Sequence, residues 1–304
     1  YMPIFEEALD AYGLPLELRY LPIIESALNP SAVSRAGASG LWQFMIGTGK
    51  IYGLESNSLV DERRDPIKAT WAAARYLKEM YDIYGDWNLV IAAYNCGPGT
   101  INKAIRRANG ETDYWKIYNY LPKETRGYVP AFIAANYVMT YYCDHNICPM
   151  ETNIPASTDT VQVNQNLHFE QIADLCNVPL DQIKSLNPQY KKQMIPGDSK
   201  PYTLRLPIDA ISTFIDKQDT IYAHRADELF RNRKTVAVKD ITPATRKTTT
   251  AVAGKGKLTY YTIKSGDTLS TIAGKYGVTI KDIQRWNGMS NTKIAAGKRL
   301  KIYK

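Results

Sequence analysis

A chain of 304 residues with 44% hydrophobic side chains can bury an enzyme-sized core and one or two small modules besides, which excludes a disordered or fibrous protein. Its longest apolar helical run, 128–142, contains Pro130 and Asn136 and falls short of the roughly 20 residues a bilayer crossing needs, so no spanning helix is expected. The net charge of +8 is unevenly spread: from Arg231 onward 17 lysines and arginines face three acids, while residues 1–230 carry 21 against 27. A basic C-terminal quarter attracts nucleic acid, anionic lipid or an acidic polymer such as a cell wall, or does no more than keep the chain solvated. The start, Tyr1-Met2-Pro3, has no basic n-region, apolar h-region or cleavage site, so an export signal is expected to be absent from this chain.

In chain order, apolar residues at helical spacing predict helices over 3–12, 16–25, 66–84, 87–94, 100–108 and 124–142. Gly13, Gly53, Gly85 and Gly110 follow such runs, where a helix end accepts a left-handed residue. Residues 1–150 therefore read as one all-α domain. After Pro149 the chain turns polar and β-branched, and it then repeats itself at an offset of 100 residues: Val161 pairs with Tyr261, Ile172-Ala173 with Ile272-Ala273, Ile183 with Ile283, and Asn187 with Asn287. Each copy reads as strand, helix, break, helix, strand. The expected fold class is α+β multidomain: the all-α domain, then two small βααβ modules at 158–207 and 258–304. Between them, 208–257 reads as a partly structured connector and a flexible basic linker. Its part from Asn232 to Lys257 would span roughly 25–30 Å as a coil.

Chemistry centres on Glu25. Leu18, Leu21, Ile24 and Leu28 form an apolar stripe with Glu25 beside its end. A carboxyl pressed against apolar neighbours resists ionisation and moves toward the range of a general acid; an exposed helix-end glutamate is the plainer alternative. Three ordered segments bear on the choice: "ESALNPSAVSRAGASGLWQFM" at 25–45, "AYNCGPGTI" at 93–101 and "PKETRGYVPAFIAA" at 122–135. Together they closely resemble the three motifs of the family 1 lytic transglycosylases, over about residues 14–142. "GLWQFM" and the trailing repeats are similar to that family's membrane-bound D type.

The resemblance implies a lysozyme-like fold and a peptidoglycan lytic transglycosylase that needs no cofactor. Glu25 would be the single acid and base, and Ser34 would contact substrate near it. Gln43 and Met45 would line the glycan groove, Tyr94 and Asn95 would flank the reacting sugar, and Glu124 and Tyr128 would orient it. The family's reaction cuts the MurNAc–GlcNAc β-1,4 bond and closes a 1,6-anhydro ring without water. Glycoside hydrolysis ordinarily uses two carboxylates. Asp61, Glu62 and Asp65 therefore keep a lysozyme-type muramidase open as a rival, and a non-catalytic wall-binding scaffold is another. Cys96 and Ile46-Gly47 depart from the family's usual residues.

Aromatic residues Tyr94, Tyr114, Trp115, Tyr118 and Tyr120 suit a sugar groove or plain packing. "YYTIKSGDTLSTIAGKYGVTIKDIQRWNG", from Tyr260, resembles the LysM module, which binds N-acetylglucosamine-containing chains. Its groove would fall at Gly266, Asp267 and Thr268 and near Met289 and Ile294. The first copy has Asn166-Leu167-His168 in place of 266–268, which leaves its glycan binding open. The "GTGK" at Gly47 lacks the rest of a phosphate loop, and the three histidines are too scattered for a metal site or triad. Cys143 and Cys148 could pair, bind metal or stay free. The implied partner is peptidoglycan glycan strands, with no nucleic acid, met by a monomer in the periplasm or cell envelope. Membrane contact would come only through a lipid anchor ahead of this chain.

Overall fold

The computed structural model describes residues 1–148, 155, 157–230, 258–264, 267–287, 289 and 294–303. The tether expected at 232–257 and the groove residue Gly266 lie outside the described residues. The chain forms two compact units, Tyr1–Asp240 and Ile241–Lys304, and among the described residues no helix is long and apolar enough to cross a membrane.

The first unit begins with eight helices: α1 (Met2–Ala11), α2 (Leu21–Ser26), α3 (Ile46–Ile51), α4 (Pro66–Tyr84), α5 (Trp87–Cys96), α6 (Pro98–Arg107), α7 (Tyr114–Ile117) and α8 (Lys123–Thr140). Capping residues set the start of α4 in the sequence itself. Asp65 accepts from the Ile67 and Lys68 amides at 2.9 and 3.0 Å, Pro66 fills the first turn, and Gly85 closes the helix at φ 63°. The buried face of α4 is mostly alanine, which lets α5 approach it closely. Leu89 to Ala93 of α5 are buried on every side, so α5 forms the centre of the bundle between α4 and α8. Trp42 is fully buried beside them, its indole donating to Thr70 Oγ1 at 2.9 Å and its ring meeting Phe5 edge-on. Burying an aromatic of this size removes roughly 150–250 Å² from water, worth about 4–6 kcal/mol.

The single helix expected over 16–25 is two pieces, a 3-10 turn Leu16–Tyr20 and then α2. Pro22 is the cause: it has no N–H to continue a helix from the preceding turn, yet suits the first turn of a new one. Left-handed Ala27 and Leu28, at φ 50° and 59°, stop α2 directly after Glu25-Ser26.

The first repeat follows with β1 (Thr158–Val163), β2 (Asn166–His168), α9 (Phe169–Cys176), α10 (Leu180–Leu186), β3 (Met194–Pro196) and β4 (Tyr202–Pro207). Strands β1 and β4 pair antiparallel from Thr158↔Pro207 to Val163↔Tyr202. Residues 208–230, the start of the expected connector, form α11 (Ile208–Asp216), α12 (Gln218–Ala223) and α13 (Ala226–Leu229). Ala210, Phe214 and Ile221 pack them into the core of the repeat. That core also takes in Leu59 and Val60 from the helical domain, so the helical domain and the first repeat make up one unit.

The second unit holds β5 (Leu258–Thr262), α14 (Leu269–Tyr276), α15 (Ile280–Asn287) and β6 (Arg299–Tyr303), with β5 and β6 antiparallel. One asparagine ties each repeat together. Asn287 Nδ2 donates to the Ile283 and Lys301 carbonyls at 2.8 and 2.7 Å, and its Oδ1 accepts from Lys301 N at 2.6 Å. Asn187 makes the same three bonds to Ile183 and Arg205, at 2.9, 2.8 and 2.9 Å. A side-chain amide has the donors and acceptor needed to join a helix end to a strand edge in this way.

Candidate active site

Glu25 stands at the last turn of α2, half-buried, and the Tyr128 hydroxyl from α8 donates to its Oε1. Burial pushes the carboxyl up to about 7. The Tyr128 hydrogen bond pulls the other way, and the negative charge of Glu124 adds to the rise. Tyr94 and Tyr128 are both held protonated, raised well above their ordinary value by burial and then by the Glu25 charge. The Tyr94 hydroxyl donates to the Trp42 carbonyl at 2.7 Å. Asn95, next on α5, accepts from Thr125 Oγ1 at 2.8 Å and so links α5 to α8.

A cleft of about 320 Å³ opens beside this group, lined by Gln43, Phe44, Met45, Tyr76, Tyr94 and Asn95 among others. Gln43 lies at φ 47°, and its Nε2 donates to the Gly40 and Ala32 carbonyls at 2.8 and 3.3 Å. Its amide nitrogen therefore fixes the loop from which the residue lines the cleft. Ser34 is exposed, and its Oγ accepts the Ala38 amide at 3.0 Å. Glu124 is also exposed and acts on Glu25 through its charge. The structure thus gathers Glu25, Tyr94 and Tyr128, sets Asn95, Gln43 and Met45 along the adjoining cleft, and leaves Ser34 on the outer loop. Sequence reasoning assigned no role to Thr125, Tyr76 or the Trp42 carbonyl; Thr125 inside "KETRGY" and Trp42 inside "GLWQFM" lay within the motifs that could have pointed to them, and Tyr76 did not.

The three other acids are engaged elsewhere. Asp61 pairs with Arg63 at 2.8 Å, Glu62 pairs with Lys68 and accepts from Glu55 N at 2.8 Å, and Asp65 caps α4. Among the described residues, Glu124 is the one carboxylate whose charge shifts Glu25. Of the clustered aromatics, Tyr114 is core and donates to the Arg126 carbonyl at 3.0 Å. Trp115 lies 54% exposed and stacks on Tyr118. Cys143 and Cys148 are free and exposed, and among the described residues no group of His, Cys, Asp and Glu is arranged to hold a metal ion.

In the second unit a cleft of about 420 Å³ is lined by Ile263, Asn287, Met289, Ile294, Ala295 and Lys298 among others. Asp267 accepts from Lys264 N and the Tyr261 hydroxyl, both at 2.8 Å, and these bonds hold its carboxyl below the usual range, the Lys264 amide most. Thr268 caps α14. Both residues therefore fix the loop, and Met289 and Ile294 line the cleft itself.

Comparison with known families assigns the parts. Residues 2–117 match the transglycosylase SLT domain, 157–223 the LysM-like domain of lytic transglycosylase MltD, and 261–302 the LysM domain. The helical domain thus carries the SLT-domain match, and each repeat carries a match to a LysM-type domain. Among individual relatives the chain is 33% identical over 294 residues to the membrane-bound lytic murein transglycosylase D of Escherichia coli (strain K12), which covers 95% of this chain and 60% of that protein. It is 33% identical over 124 residues to the soluble lytic murein transglycosylase of the same strain, covering 39% of this chain and 19% of that one. The crystal structure of the 70 kDa soluble lytic transglycosylase SLT70 from Escherichia coli aligns at 29% identity with a TM-score of 0.41, over 47% of this chain and 24% of that one. The chain spans about three fifths of the length of its D-type relative.

Proposed function

We propose that this chain is a peptidoglycan lytic transglycosylase that cuts the MurNAc–GlcNAc β-1,4 bond and leaves 1,6-anhydroMurNAc. The observation that carries the reading is the state of Glu25, a carboxyl raised to about 7 with its oxygen held by Tyr128. Near neutral pH such a group exists in both protonation states, which suits both halves of the reaction. Protonated, it gives its proton to the glycosidic oxygen, and N-acetylglucosamine leaves with a free hydroxyl. The muramoyl acetamido group stabilises the cationic centre. The carboxylate then takes the C6 hydroxyl proton as O6 closes on C1, so the acid is regenerated and no water enters. Tyr128 supports the carboxylate between the two steps by donating to it.

The engagement of Asp61, Glu62 and Asp65 elsewhere disfavours a hydrolysis in which one of these three activates water. In this reading residues 1–150 cleave, and residues 258–304 hold glycan through the cleft at Met289 and Ile294. The basic C-terminal quarter adds attraction to an anionic wall. The relatives are murein enzymes, one of them membrane-bound by name, which supports work in the cell envelope on peptidoglycan strands.

The test is digestion of purified peptidoglycan, with the new ends identified by mass spectrometry. Ends carrying 1,6-anhydromuramic acid bear the proposal out. Reducing ends would make the protein a muramidase, and binding without soluble fragments would make it a scaffold.

A further inference from the structure

The two repeats share their asparagine clamp but differ where a glycan would lie. In the second, Ile294 and Ala295 line a cleft, and the described residues 267–268 and 294–295 belong to no strand. In the first, the matching segments are zipped together. Strands β2 and β3 pair antiparallel as Asn166↔Pro196, Leu167↔Ile195 and His168↔Met194. Leu167, His168, Met194 and Ile195 are all buried. Asn166 N donates to Asp198 Oδ1 at 3.0 Å, and Gly197 packs so tightly that a Cβ would lie 2.2 Å from the Gln165 carbonyl oxygen. Backbone groups that could face a sugar are spent on one another.

The first repeat instead spends its polar groups on the helical domain. Val60 bridges Tyr190, Asp61 N donates to Gln189 O at 2.8 Å, and Lys191 N donates to Leu59 O at 2.6 Å. The Lys191 ammonium donates to the Asn57 carbonyl at 2.9 Å and stands 3.6 Å from Asp61 Oδ2. Asp61 in turn holds Arg63 in a two-pronged pair, Nε to Oδ1 and Nη2 to Oδ2, each 2.8 Å. The free prong of Arg63, Nη1, donates to the Gly37 and Phe44 carbonyls at 2.8 and 2.9 Å. Those carbonyls belong to the loop that carries Gln43 and Met45 to the cleft. The loop lies directly on Arg63: a Cβ at Gly40 would lie 1.7 Å from the Arg63 carbonyl oxygen.

We propose that the first repeat is a brace for the glycan groove, with Lys191 as a positioning residue that acts through Asp61 and Arg63 on the 37–45 loop. The pair is buried, Asp61 1% and Arg63 5% exposed, so its geometry passes directly from one end to the other, and bidentate pairing fixes the guanidinium plane. Lys191 contributes the third charge and ties the pair to the repeat. The brace bears on the groove loop first: Glu25 takes its own hydrogen bond from Tyr128 on α8, and the loop reaches the surroundings of Glu25 through Ser26, which donates to the Leu41 carbonyl at 2.9 Å, and Tyr94, which donates to the Trp42 carbonyl. The inference rests on the transglycosylase reading for its kinetic readout.

The experiment compares the full chain with its Lys191→Met and Lys191→Arg variants, following release of 1,6-anhydro ends from peptidoglycan and amide hydrogen exchange at 37–45. Lys191→Met is expected to raise KM about fivefold with kcat within about twofold, as befits lost substrate positioning. Exchange at the Ser39 and Gly40 amides should quicken, and Lys191→Arg should restore both. Unchanged KM and unchanged exchange would overturn the brace. So would a matched loss of kcat, KM and thermal stability that Lys191→Arg fails to rescue, because that is the mark of general destabilisation. A parent chain that cuts no peptidoglycan would remove the functional reading, and hydrogen exchange at 37–45 would still decide the brace.

Discussion

The two repeats start from one βααβ plan and use it in opposite ways. Each joins its second helix to its last strand through one asparagine, Asn187 or Asn287, and each buries an isoleucine at the matching point of that helix, Ile183 or Ile283. The second has a cleft beside its end loops, lined by Met289, Ile294 and Ala295 among others. The first closes its end loops on each other, adds three helices from 208–230, and admits Leu59 and Val60 of the helical domain to its core. A small fold can thus become part of its neighbour once its binding edge is satisfied internally and its flank offers apolar contact. On the proposed reading, substrate holding and groove support are divided between two copies of one plan.

The sharpest way to test that division is to remove catalysis alone. Glu25→Gln should lower peptidoglycan cleavage by about 10³-fold or more, since no second acid replaces the lost proton donor, while pull-down on insoluble wall stays at the parent level. Lost wall binding would mean that holding and cutting are not separate. The same variant has a thermodynamic signature. Between pH 4.5 and about 7 the unfolded carboxyl is ionised while the folded one still binds its proton, so this group makes the fold less stable as pH rises through that window. Melting curves should therefore show Glu25→Gln raising Tm relative to the parent above pH 7 and leaving it nearly unchanged below pH 4.

A smaller effect separates the two clamps. Asn187→Ala strands buried backbone groups and should cost about 1–3 kcal/mol, seen as a lower denaturation midpoint for the 1–230 unit and weaker cleavage of short glycan strands. Asn287→Ala should loosen wall retention and leave short-strand cleavage at the parent rate. Equal effects of the two variants on cleavage would erase the distinction drawn here.

The smallest effects are shifts in the pH profile. The proposed mechanism needs protonated Glu25, so kcat/KM should fall above about pH 7. Tyr128→Phe removes a bond that favours the charged form and should move that limb to higher pH. Glu124→Gln removes a like charge and should move it lower. Profiles that move in the same direction would contradict the stated causes.

Much of this was legible in the sequence, for identifiable reasons. The helix at 66–84 could be read because its cap, its first-turn proline and its closing glycine are local signals. The repeat could be read because Ile183 and Ile283, like Asn187 and Asn287, recur at a fixed offset. The partnership of Glu25 with Tyr128 spans 103 residues and came from family motifs, since no local spacing encodes it. What could not be read is the seam. Leu59 and Val60 sit in a turn-like stretch between Asn57 and Asp61 and look like surface. The pairing of 166–168 with 194–196 joins two short segments that carry no strand pattern. The break at Pro22 could have been anticipated from proline alone, but the apolar stripe hid it.

The seam also has a consequence for the order in which the molecule is made. The Asn57 carbonyl meets the Lys191 ammonium across 134 residues of chain, and Glu55 meets Tyr202 across 147. During synthesis the proposed general acid, its tyrosines and the whole helical bundle emerge first, and the residues proposed to brace the groove emerge much later. A chain stopped before residue 190 would carry every proposed catalytic group on a groove without its support. If the first repeat braces the groove as proposed, its completion is the step at which translation turns the helical bundle into a finished site.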